Sequence, residues 1–107
     1  NRITALDLGA TRLTGEGLKH LCGMKQLSSL DLWANDISEE ELDMLADLPS
    51  LEYLSVGGYS GQEKFSSEGV LPRLERIGSL KRVWLDGVSV SEEEKRVLEE
   101  RYEQVRF

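Results

Sequence analysis

Four short stretches of the chain share one arrangement of apolar positions. In one of them Leu27 is followed by Leu30 three places on, and by Leu32 two places after that. The same spacing recurs at Ile3, Leu6 and Leu8, at Leu51, Leu54 and Val56, and at Leu80, Val83 and Leu85. The starts lie 24, 24 and 29 residues apart, which makes the pattern a repeat. The last three residues of each stretch alternate apolar, polar, apolar, the period of a strand with one face buried. Between the stretches, apolar residues fall at helical spacing: Leu18 and Leu21, then Leu42, Leu45 and Leu48, then Val70, Leu74 and Ile77, then Leu98, Tyr102 and Val105. Strand and helix in alternation predict an α/β fold with a parallel sheet.

Local signals set the expected helix limits. Ser38 with Glu41, and Ser91 with Glu94, each form a capping-box pair, and Pro49 stops the second helix. Pro72 is read as the first residue of a short third helix. The longer third interval places an insertion at about 59–67, whose Gly, Ser and Gln content reads as a loop. The last helix is expected over about 91–105 as a terminal cap, because the end units of a repeat stack need their open core covered.

The quoted pattern, with Thr11 and Leu13 closing the first unit and Asn35 and Ile37 the second, resembles the leucine-rich repeat. Its style is that of the helical ribonuclease-inhibitor and cysteine-containing kinds. The resemblance implies one domain over 1–107: a four-repeat solenoid with its sheet on the concave side, helices on the convex side and a helical C-terminal cap. It also implies an internal hydrogen-bond ladder at Thr11 and Asn35, which stops where Tyr59 and Val88 take that position. In such repeats the third, fifth, seventh and eighth positions face the concave surface. The third-position column here is Ala5, Ser29, Tyr53 and Arg82, and the fifth is Asp7, Asp31, Ser55 and Trp84. The seventh is Gly9, Trp33, Gly57 and Asp86, and the eighth is Ala10, Ala34, Gly58 and Gly87.

Both tryptophans therefore fall on one expected surface. Tyr, Trp and Arg are enriched at the energetic centres of protein interfaces. Trp33, Tyr53, Trp84 and Arg82, with Asp7, Asp31 and Asp86 beside them, form the candidate site for a protein or peptide partner. The competing reading is shielding: Trp33 lies over its small neighbours, and Trp84 packs on Tyr53 as an aromatic pair. A second function class is a self-associating or docking module. The chain starts on its first strand without a Met, so Ile3, Leu6 and Leu8 offer an edge for a second copy or an upstream domain. Enzymatic use of Asp7 and Asp31 is not expected, because no nucleophile, base or metal cluster accompanies them.

Charge and composition narrow the partners. A net charge of −7 opposes non-specific nucleic-acid binding and anionic membrane surfaces. No run of apolar residues is long enough to insert in a membrane. His20 and Cys22, each the only residue of its kind, supply no His/Cys metal set, and no phosphate-binding glycine motif occurs, so no cofactor is expected. An unpaired cysteine fits a reducing, intracellular compartment, although the sequence names none. The Glu39–Glu41 and Glu92–Glu94 runs open helices, where carboxylates favour the positive end of the helix dipole.

Overall fold

The computed structural model describes residues 4–35, 37–58 and 65–107. Five strands form one parallel sheet in chain order: β1 (Ala5–Asp7), β2 (Ser29–Asp31), β3 (Tyr53–Ser55), β4 (Arg82–Trp84) and β5 (Gln104–Arg106). Three α-helices, α1 (Gly15–Leu21), α2 (Ser67–Glu75) and α3 (Glu92–Arg101), and one 3₁₀ helix (Glu40–Asp47) connect them. The protein is thus α/β, as the apolar periodicity predicts.

The registry is regular. Leu6, Leu30, Leu54, Val83 and Val105 stand side by side across the sheet. Leu30, Leu54 and Val83 are fully buried among the leucines of the helices. Burying each such side chain stabilises the fold by about 1.5–3 kcal/mol, so this row holds sheet to helices. The backbone repeats its bonds as faithfully. The carbonyls of Thr4, Ser28, Glu52 and Lys81 each accept two successive N–H groups from the next unit. Beyond the strands, the N–H groups of Ala10, Ala34 and Gly58 donate to the carbonyls of Trp33, Gly57 and Asp86.

Three expectations are corrected. The last helix ends at Arg101, not near 105, and the chain then forms β5, in which Val105 pairs with Val83. The Ser91–Glu94 capping box at its start is present. The second helical segment is wound as a 3₁₀ helix. Leu42, Leu45 and Leu48 are spaced by three, which keeps them on one face at three residues per turn. All three are buried, and the Ser38–Glu41 pair makes both of its reciprocal bonds. Pro72 lies inside α2 and does not begin it. Ser66 caps that helix by accepting the Gly69 N–H at 3.2 Å, and is itself held by the Glu39 carboxylate at 2.8 Å. The missing N–H of Pro72 falls opposite the carbonyl of Glu68, an exposed residue. Ile3, Tyr59 and most of the expected insertion lie outside the described residues.

Asn35 locks the first two units together. It is 8% exposed. Its Oδ1 accepts the N–H groups of Thr11 and Leu13 at 3.1 and 2.8 Å, and its Nδ2 donates to the carbonyls of Leu8 and Leu32 at 2.6 and 3.2 Å. The Thr11 hydroxyl donates to the Leu8 carbonyl at 2.7 Å. At the corresponding place in the fourth unit Val88 is buried and packs with the core.

Candidate functional site

The strand pairing brings the candidate residues onto the sheet face opposite the core row. One column runs Ala5, Ser29, Tyr53, Arg82 and Gln104, and its neighbour runs Asp7, Asp31, Ser55, Trp84 and Arg106. Four of the five members of each column match the sequence expectation. Gln104 and Arg106 were missed because their segment reads as helix. The signal was there: Tyr102, Val105 and Phe107 repeat the three-then-two spacing.

Tyr53 and Trp84 form the centre of this face. Their ring centroids lie 5.1 Å apart at 80°, an edge-to-face pair. The Arg82 guanidinium stands 5.9 Å from the Tyr53 centroid. The shielding contact considered for Trp84 therefore exists, worth about 0.5–1.5 kcal/mol. It does not remove the rings from solvent: both remain half-buried and outside the hydrophobic core. Trp33 is also half-buried and outside that core, on the turn after β2.

The acidic residues have local structural duties. Asp7 Oδ1 accepts the Gly9 N–H at 3.1 Å, and Asp31 Oδ1 accepts the Trp33 N–H at 2.9 Å. Each carboxylate thus closes the turn that follows its own strand. Asp86 pairs with Arg106 at 3.4 Å. Among the described residues no ion pair involves Asp7 or Asp31. Burial pushes the Tyr53 phenol above its ordinary value. A hydrogen bond with Ser55 partly offsets this, and Asp31, Asp7 and Asp86 raise it further.

The eighth-position column lies where the chain turns out of the sheet. Ala10, Ala34 and Gly87 have φ of 54°, 59° and 87°, in the left-handed region. A Cβ on Gly87 would also run into the Gly58 carbonyl oxygen. Glycine is required at Gly87, whereas Ala10 and Ala34 take this backbone with a Cβ in place, as Arg12 does at 64°.

Charge is graded across the face. Asp7 and Asp31 lie at β1 and β2, the aromatic pair at β3 and β4, and Arg82 and Arg106 at β4 and β5. At about 4.8 Å per strand, Asp7 and Arg106 are separated by roughly 19 Å. A shallow cavity of about 390 Å³ lies at the acidic end, lined by Ala5, Leu6, Asp7, Ser29, Asp31 and Tyr53. Another of about 420 Å³ lies at the β5 end, where Glu99 and Glu103 line it together with Trp84, Tyr102, Gln104 and Arg106. Among the described residues no group of three or more His, Cys, Asp or Glu is placed to hold a metal ion. No helix there is long and apolar enough to cross a membrane. No protein-family model matches the chain, and no curated protein matches it.

Proposed function

We propose that the chain is a leucine-rich-repeat solenoid that acts without catalysis, as a protein-recognition module or adaptor. Its partner is a protein or peptide segment lying across the sheet face. The repeated inter-unit hydrogen bonds and the Asn35 ladder support the solenoid reading. One observation carries the functional reading: the half-buried Tyr53–Trp84 pair sits on the sheet face between Asp7 and Asp31 on one side and Arg82 and Arg106 on the other. A segment that crosses the strands, basic at its β1 end and carrying an acidic group towards Arg82, matches that arrangement, with an apolar side chain against the rings.

Panning a random-peptide library on the immobilised protein tests this. Enriched peptides should carry separated basic and acidic groups. They should lose on the order of 30-fold in affinity to the Tyr53→Ala/Trp84→Ala protein, since an interface anchor is worth about 2 kcal/mol. Unchanged binding to a folded double variant overturns the site.

A second reading, self-association at the β1 edge, has one observation in its favour. Leu6 and Leu8 are only half-buried, whereas Leu30 and Leu32 beside them are buried. A dimer in sedimentation that Leu6→Asp dissociates would support it. A monomer at all concentrations removes it.

A further inference from the structure

The helix layer is continuous only as far as α2. The 3₁₀ helix packs against α1 on one side and α2 on the other, whereas α3 packs on β5 and not on α2. A slot of about 260 Å³ remains between α2 and α3. Leu71 lines it from α2, Val97 and Leu98 from α3, and Tyr102 from just beyond α3. Val97 is 56% exposed, unusual for an apolar side chain otherwise placed to pack. Ser91 and Glu94 line the slot near the start of α3, and Arg101 Nη2 reaches the Glu75 carbonyl at 3.5 Å near the ends of the two helices. The slot is thus bracketed by polar contacts and apolar within.

Tyr102 supplies an independent observation. It is 6% exposed, and its buried hydroxyl has no hydrogen-bond partner among the described residues. Arg101 stands beside the ring, 5.7 Å from its centroid. An acceptor that enters as the slot widens would satisfy this hydroxyl, which has none among the described residues. The rim is acidic: Glu75 and Glu93 line the slot, and among the described residues neither is in an ion pair.

We propose that this slot receives one apolar side chain of a basic peptide segment, with the Tyr102 hydroxyl donating to a carbonyl of that segment and lysine or arginine neighbours facing Glu75 and Glu93. The volume is below the roughly 300–1,000 Å³ of ordinary small-molecule sites, which favours a single side chain over a cofactor. The acidic rim repels an anionic membrane, which selects a peptide over a lipid surface. The site is on the helix side and stands apart from the sheet-face reading.

The test is a methyl-resolved NMR titration of the whole chain with three capped pentapeptides: phenylalanine between lysine pairs, alanine between lysine pairs, and phenylalanine between glutamate pairs. The first should give saturable shifts at Leu71, Val97 and Leu98. The other two should bind about tenfold more weakly or worse. Val97→Lys, a change at an exposed position, should abolish binding with the amide spectrum otherwise retained. Tyr102→Phe should weaken binding several-fold, whereas Trp33→Ala on the other surface should leave it unchanged. Absence of saturable shifts at these methyls, equal binding of the three peptides, or full binding by either the Val97→Lys or the Tyr102→Phe protein overturns the proposal.

Discussion

Replacing Asn35 with alanine removes one carboxamide and its bonds to four backbone groups, of which the Leu8 carbonyl keeps the Thr11 hydroxyl. The side chain accepts from the Thr11 and Leu13 N–H groups and donates to the Leu8 and Leu32 carbonyls. Thr11 is exposed, so water replaces part of its loss, whereas Leu13 and Leu8 are half-buried and Leu32 is buried. Counting two groups left without good partners at about 1–3 kcal/mol each, the expected destabilisation is about 2–6 kcal/mol. That is a large share of the roughly 5–15 kcal/mol available to a domain of this size. Urea denaturation should show a lower midpoint with unchanged slope, and hydrogen exchange should show lost protection at the Leu13 amide. A loss under about 1 kcal/mol, or a Leu13 amide as protected as before, would refute the claim that this side chain joins the first two units.

Asn35→Asp sharpens the test. The acceptor oxygen is kept, but the other oxygen now faces the Leu8 and Leu32 carbonyls. Only the protonated acid can donate there, so the folded state raises this carboxyl's pKa above its unfolded value. The folded state then holds the proton more tightly. Stability is greatest below the unfolded pKa and falls as pH rises through the folded one. The variant should approach wild type in acid and fall behind it towards neutrality; the opposite trend would contradict the assigned donor geometry.

Gly87→Ala should cost about 2–4 kcal/mol in urea denaturation, combining a left-handed φ with collision against the Gly58 carbonyl, whereas Gly78→Ala, with open space around its Cβ, should stay near wild type. Tyr53 should ionise later than a free tyrosine in an absorbance titration, with burial as the main cause; its contribution to stability is present below pH 10 and is lost as pH rises through the folded value, and Asp31→Asn should bring its ionisation earlier. Burial, and secondarily Asp47, pushes the Cys22 thiol up while Lys25 pulls it back, and its Sγ donates to the Met44 carbonyl at 3.3 Å; alkylation at neutral pH should therefore be slower than for glutathione and should accelerate in urea.

The first four strands and their register were legible because one buried face imposes a strict period of two, and a slip by one residue would expose the whole apolar set. That constraint placed Tyr53 beside Arg82 and Asp31 beside Ser55 before any coordinates. The fifth strand was not legible for the same kind of reason. Leu98, Tyr102 and Val105 fit a helical face as well as Tyr102, Val105 and Phe107 fit a strand, and a glutamate-rich lead-in favours the helix locally. Pairing with β4 decides for the strand. The 3₁₀ winding was written in the three-residue spacing of Leu42, Leu45 and Leu48 but outweighed by the capping box before it. The left-handed turns were hidden because alanine occupies two of them, where glycine would have announced the geometry.

These assignments change what the sheet face has free to offer a partner. Gly87 is glycine for the sake of the turn, and one oxygen each of Asp7 and Asp31 is committed to a backbone N–H. Asp86 is joined to Arg106. What no turn or strand requires is the size of the side chains at Tyr53 and Trp84. Their register mates Ser29, Ala5, Asp31 and Asp7 show that the same strand positions accept small or polar residues. An edge-to-face pair gains about 0.5–1.5 kcal/mol, while leaving two large rings half-wet forgoes part of the burial that equally large side chains secure in the core. Stability alone is therefore a weak reason to place them here. Under the proposed reading, a partner surface that hides the rest of their area supplies the stronger one, with cations towards Asp7 and Asp31 and an anion towards Arg82.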